Sequence, residues 1–290
     1  VLPEADFYCP IPWEPLEIAT PAALEAAVAE GCDGLLDRVF QLIVHDLEYA
    51  APAWCEATGL RQLTPDSIAD AWFADRLTHD PFQWAQHNLQ EVERNKRERH
   101  TVPWRYAILR LHEAIETVVP QLNDEDSRRF RQGLARVFID NYAAIPPESI
   151  RRLLALHQAG ILRIVALGED YELQRESDRT LIVHHQQRCE FDVFIDARGQ
   201  KALKTRDLPF PSLRQQLLAC GDAIPDVGDD YTLQAPEAVR GRVAFGALPW
   251  LMHDRPFVQG LTASAEIGSA MARAVSQQAT GRRRRLWFIE

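Results

Sequence analysis

The apolar period of this chain changes once, at Ile145-Pro146-Pro147, and that change limits the folds open to it. Before it the spacing is helical. Thr20-Pro21, Thr64-Pro65 and Asp80-Pro81 each set a capping oxygen ahead of a proline, whose missing N–H costs nothing at the first helical position. Behind such caps Phe82, Ala85, Leu89 and Val92 share one helix face, and Trp104, Ile108, Leu111, Ile115 and Val118 share another. Asn123 is expected to cap a further helix with Phe130, Leu134, Val137 and Phe138 inward. Residues 1–20 hold four prolines and little periodicity, so they read as an extended, meandering lead-in.

Pro146-Pro147 starts one more helix, with Ile150, Leu153 and Leu154 inward and Gly160 as its C-cap. From there the period is that of strands. Residues 161–167 form a short apolar run between glycines, 171–175 and 180–184 alternate, and 191–195 form a second apolar run ending in Asp196-Ala197-Arg198-Gly199. Continuous apolar strands such as Val193-Phe194-Ile195 suit a sheet covered on both faces. Residues 242–245 read as a strand ending at Gly246, and 260–278 as a helix with Ala263, Ile267, Ala270 and Ala274 inward. The expected class is α/β, with a helical domain over residues 1–145 and an α/β domain over 146–290.

Composition removes several functions. A formal net charge of -10 opposes broad nucleic-acid binding, which draws its affinity from clustered Lys and Arg. The basic tail Arg282 to Arg285 is a solvated helix end or a local anion contact, and the run from Arg94 to His100 suits a helix C-terminus. Five cysteines without a CxxC pair signal neither disulfides nor zinc. His184 and His185 point to opposite faces of a strand, His79 and His87 lie eight apart, and HExxH and GxSxG are absent, so no metal site or nucleophile elbow is expected. With no apolar stretch of ~18 residues and no signal peptide, a cytoplasmic protein without membrane contact is expected. Val1-Leu2-Pro3 reads as the middle of a longer protein.

Order and motif together bring in a resemblance. The helix that begins at Ile145-Pro146-Pro147-Glu148 is followed by Gly-Ile-Leu-Arg-Ile-Val-Ala-Leu-Gly (160–168), a β excursion, and Phe-Asp-Val-Phe-Ile-Asp-Ala-Arg-Gly-Gln (191–200). The closing stretch runs from Val243-Ala244-Phe245-Gly246 to Gln259-Gly260-Leu261-Thr262. With Trp104-Arg105, these segments resemble the bacterial FAD-NAD(P)-binding protein family, distant relatives of flavin-containing monooxygenases and amine N-hydroxylases. The resemblance covers roughly residues 100–280. It implies the closing part of a Rossmann-like FAD-binding domain with a β-meander, in an oxidoreductase whose FAD is reduced by NAD(P)H and whose small-molecule substrate is not written in the sequence.

By that resemblance the cofactor-binding positions are Ala197, Arg198, Gly199, Gln200, Gly246, Gln259, Gly260, Leu261 and Thr262. Glycines at Gly199 and Gly246 would let backbone approach a flat ring, and a helix starting at Gly260 would aim its dipole at the flavin pyrimidine. Equally, Gly199 ends a strand and Gly260 starts an ordinary helix. Arg198 stands where many relatives carry Thr, and neither GxGxxG nor GxxxxGK occurs. These 290 residues alone are therefore expected to hold FAD weakly or not at all, to be inactive, and to self-associate through strand edges left unpaired unless residues 1–20 cover them.

Candidate catalytic groups are His253, Asp254 and Arg255, between the last strand and last helix, and Arg105. His253 either exchanges protons near neutral pH or faces water. Arg105 either meets a carboxylate or phosphate bidentately or closes a structural salt bridge. Trp72, Trp84 and Trp104 line either a lid over a partly apolar substrate or a helical core. The rival to the enzyme is a non-catalytic binding or interaction module that keeps a remnant of the fold; a helical scaffold joined to an unrelated α/β domain is a third possibility.

Overall fold

Among the described helices of residues 1–166, five begin with proline, and two of these are also capped by the side chain before it. A computed structural model describes residues 1–10, 14–165, 167, 171–184, 187–197, 202–253, 255, 258 and 260–286, with 278–286 by backbone alone. The chain divides into two units, residues 1–166 and 167–290.

Among the described residues the first unit carries α1 (Pro21–Ala29), α2 (Leu35–Ala50), α3 (Pro52–Thr58), α4 (Ile68–Leu77), α5 (Pro81–Glu98), α6 (Pro103–Ile115), α7 (Asp124–Gln132), α8 (Leu134–Tyr142) and α9 (Pro147–Gln158). The Thr20 hydroxyl accepts the Ala23 N–H at 3.3 Å, Asp80 accepts those of Phe82 and Gln83 at 3.0 and 2.9 Å, and Asn123 accepts that of Asp126 at 2.8 Å. Each satisfies a donor that the first helical turn leaves unpaired. Thr64-Pro65 behaves differently. Thr64 and Ser67 exchange hydrogen bonds at 2.9 and 3.3 Å, so a turn forms first and α4 begins only at Ile68. Gly160 stands at φ +72 after α9, where the left-handed backbone favours glycine.

Spacing decides which faces pack. Leu36, Val39, Phe40, Ile43, Val44 and Leu47 are buried along α2, which lies against α6 with its Ile108, Leu111 and Ile115 inward; α6 in turn lies against α8. Each such side chain contributes about 1.5–3 kcal/mol by leaving water. A second cluster joins Phe82, Ala85, Leu89 and Val92 of α5 to Ile150 of α9 and to Leu2, Ala5 and Phe7. The leading segment is thus core. Ala5 bridges Ile145 in parallel, Asp6 donates to the Ile145 carbonyl at 2.7 Å, and Asn88 accepts the Ala5 N–H at 2.8 Å.

His112 of α6 lies in this interior, its ring 4.4 Å from that of Tyr142 and 6.1 Å from that of Phe138, with Glu116 at 3.7 Å. Burial pushes its pKa down to about 4. A histidine depressed by folding stabilises the fold above the unfolded value of about 6.5, and that stability drains away as pH falls toward the folded value. Lowering pH from 7.5 to 5 is expected to remove about 2 kcal/mol through this group. Urea midpoints at the two pH values check it: His112→Phe should lose less stability over that range by about this amount, and equal losses in variant and parent would refute the assignment.

The second unit carries an antiparallel sheet of β1 (Tyr171–Arg175), β2 (Thr180–His184) and β3 (Gln187–Phe191), β2 in the middle, with Tyr171 opposite His184 and Thr180 opposite Phe191. It also holds α10 (Pro211–Ala219), α11 (Leu248–Leu251) and α12 (Gly260–Leu286). Leu208, Leu217, Leu233 and Phe245 form its core, with Trp250 and Val243 packed against them. The chain is therefore mixed α/β and mostly helical.

The apolar runs expected as parallel strands take another course. Residues 161–165 carry no strand, β3 ends at Phe191, and 242–245 pair only through the single bridge Thr232–Ala244. Ile161, Ile164, Val165, Val193 and Ile195 stand exposed, the last two at 76% and 80%. A strand needs a neighbour along its length to satisfy its backbone; here Ile161 and Leu162 donate instead to the Leu156 carbonyl, and 242–245 meet residues 231–233 only through the bonds of that one bridge. No helix among the described residues is long and apolar enough to cross a membrane.

Candidate functional site

One concavity of the first unit, lined by residues of four helices and Glu4, is a recess of about 320 Å³. It gathers Trp54 and Thr58 from α3, Trp72, Asp75 and Arg76 from α4, Trp84, His87, Asn88 and Glu91 from α5, Trp104 and Arg105 from α6, and Glu4. Helical spacing presents these groups together. Trp72 and Arg76 lie one turn apart, as do Trp54 and Thr58, and Trp84, Asn88 and Glu91 follow one stripe of α5.

All four tryptophans are half-buried. Trp54 and Trp104 stack at 4.9 Å between centroids, 9° from parallel, and Trp72 meets them edge-on at 6.2 and 5.4 Å. Such pairs hold one another in place beyond the area they bury.

Behind the rings lie four ionised groups. Glu4 is paired with Arg105 and lies 3.4 Å from Arg76; Asp140 of α8 is paired with Arg76 and accepts the Trp72 indole N–H at 2.8 Å. Both guanidinium groups are almost wholly buried, and that of Arg105 stands 4.5 Å from the Phe7 ring centroid. The set is neutral as a whole, yet donors remain over: Arg76 Nη1, Arg105 Nε and Trp84 Nε1 are buried without a hydrogen bond. A buried donor left unpaired costs about 1–3 kcal/mol, so this wall favours an acceptor.

Arg105 thus forms the salt bridge that was one of its two sequence readings. The other candidates lie in the second unit. His253 Nε2 donates to the Leu203 carbonyl at 2.8 Å, and Arg255 stands 4.4 Å from the Tyr231 ring centroid and 3.6 Å from Asp229. Ala197 is exposed. Asp254, Arg198, Gly199, Gln200 and Gln259 lie outside the described residues, as do His185 and the side chains of Arg282 to Arg285.

Gly246 has a definite packing partner. A Cβ there would stand 2.5 Å from Met271 Sδ and 2.9 Å from Ile267 Cγ2, so its missing side chain admits α12. Gly260 opens α12 at φ +80 with open space where a Cβ would stand, and Leu261 and Thr262 are exposed, Leu261 at 91%. Among the described residues no group of three or more His, Cys, Asp or Glu is placed to hold a metal.

Trp72, Trp84, Trp104 and Arg105 stand out in the sequence; Trp54, Glu4, Arg76 and Asp140 do not. The pair Trp72–Arg76 carries a signal in its i, i+4 spacing, whereas Glu4 sits in a proline-rich lead-in where nothing periodic marks it.

Residues 20–142 match the family described as YdhS-like middle domain, which spans α1 through α8 and every tryptophan of the recess. Over 288 residues, 99% of this chain, the sequence is 65% identical to the protein named Uncharacterized protein YdhS of Escherichia coli (strain K12). The match takes in 54% of that protein, so the chain spans about half the length of the curated relative it matches.

Proposed function

We propose that this chain is part of a longer flavin-dependent oxidoreductase, its helical unit holding the organic substrate and its second unit contributing to a Rossmann-like FAD-binding domain. One observation carries the reading: the apolar runs at residues 161–165 and 193–195 form no strand, and Ile161, Ile164, Val165, Val193 and Ile195 in them stand exposed. Water-exposed Ile and Val in consecutive positions are costly unless a neighbour covers them, and a parallel sheet covered on both faces is the setting such runs suit. Nearly half of the relative lies outside the match, which leaves room for further strands and for the phosphate-binding turn this sequence lacks.

The site geometry sets the limits of the proposal. Gly246 is filled by α12 and the first turn of α12 is open, which supports the expectation that these residues alone hold FAD weakly or not at all. In the longer protein that open turn would face the completed domain, and FAD reduced by NAD(P)H would supply the electrons. The recess, by contrast, is formed within the helical unit alone. That independence favours the second reading, a binding module without catalysis.

Flavin content separates the two. The full-length protein is expected to purify with FAD, or to take it up with the absorbance bands of a bound flavin, while the 290-residue chain shows neither. A full-length protein that neither carries nor binds FAD would leave the binding module as the reading, and stoichiometric FAD on the shorter chain would contradict the assignment of the missing turn.

A further inference from the structure

We infer that the tryptophan-lined recess of the helical unit binds neutral, planar aromatic molecules carrying a carbonyl oxygen, an inference that rests on the recess being the substrate site. The flatness follows from the lining. Half-buried indoles from α3, α4, α5 and α6 converge on one cavity, and flat rings are what such faces and edges accommodate best. At about 320 Å³ the cavity is at the small end of ligand sites, enough for a compound of about two fused rings.

The oxygen follows from the donors. Arg105 Nε and Trp84 Nε1 are buried with no acceptor, Arg76 Nη1 has only a long 3.4 Å contact with Glu4, and a guanidinium offers five N–H groups but accepts none. Two arginines and one indole supply more donors than Glu4 and Asp140 take up. A small adjustment of Trp84, which packs only partly, would bring a carbonyl within reach of its N–H.

Neutrality follows from charge. The four ionised groups of the wall cancel, while Asp75 and Glu91 add negative charge at the opening. An anion would meet those acids, and a cation, though drawn by them, would set its charge against the buried N–H donors of Arg105 and Trp84; both would give up hydration. A carbonyl compound gives up little and gains a hydrogen bond.

The test uses the 290-residue chain and titration calorimetry with three bicyclic probes: coumarin, which is neutral with a lactone carbonyl, naphthoate, an anion, and naphthylmethylammonium, a cation. Coumarin is expected to bind at least about tenfold more tightly than either ion, which corresponds to one net hydrogen bond. Trp84→Phe keeps a ring and removes the N–H, and should weaken coumarin about tenfold. Trp54→Leu removes a stacked ring and should weaken it further, whereas Trp250→Phe in the other unit should change nothing. Failure of coumarin to bind at roughly millimolar concentration, tighter binding of either ion, or an unchanged affinity in Trp84→Phe would each overturn the inference; circular dichroism confirms that each variant is folded. No flavin enters the assay. Coumarin binding by a protein that is flavin-free at full length would sink the oxidoreductase reading alone, and a flavin-bearing protein indifferent to coumarin would sink this one.

Discussion

Gly133→Ala is expected to destabilise the helical unit by about 3 kcal/mol or more. Gly133 joins α7 to α8, and the Cβ of an alanine there would lie 1.9 Å from the Pro65 carbonyl oxygen and 3.0 Å from its carbon. Both are backbone atoms, so no rotamer relieves the clash; the α7–α8 corner or the turn before α4 must move. Moving the corner disturbs Phe130, Leu134 and Phe138, all 1% exposed. Gly31 provides the contrast. It lies at φ +107 with nothing within 4 Å, so alanine there meets backbone strain alone, roughly 1–2 kcal/mol. Urea denaturation of the two variants decides the matter: a Gly133→Ala midpoint within ~1 kcal/mol of the parent would mean that the corner yields easily and the close approach is unimportant.

The same comparison shows what a sequence can disclose. Caps are local chemistry, and Thr20, Asp80 and Asn123 act where their spacing to the following apolar stripe places them. The stripes themselves are one-dimensional, so α5, α6 and the Ile267–Ala274 face of α12 can be read in advance. Gly133 cannot, because its need arises from a carbonyl more than sixty residues earlier in the chain. The strands at 171–175 and 180–184 form where their alternation places them, whereas the continuous apolar runs fail for a related reason. The runs at 161–165 and 193–195 have strand composition, but a strand exists only with a partner, and partners are not encoded beside it. The recess lies between these cases: its tryptophans and Arg105 are conspicuous residue types on predicted helices, while Glu4 and Asp140 become functional only once folding sets their carboxylates against Arg76 and Arg105.

Glu4→Gln should reveal how much that polar wall matters, costing about 3–5 kcal/mol. The side chain is nearly isosteric, so its shape is kept while the charge is lost. Arg105 then has no carboxylate, and Arg76 has only Asp140. A guanidinium sealed from water without a counter-charge is expensive, and the helices on which the two arginines sit, α4 and α6, are held apart by a cluster that no longer cancels. Removing both partners is a different matter. Glu4→Leu combined with Arg105→Met replaces a desolvated pair by apolar atoms of similar bulk, which is often close to neutral for stability, so the double variant should recover most of what Glu4→Gln loses. It should nonetheless bind coumarin more weakly than the parent, since a donor of the wall is gone while the tryptophans remain. If Glu4→Gln unfolds at the parental urea midpoint, the buried cluster is wetter or looser than its geometry implies, and the donor excess assigned to the recess falls with it.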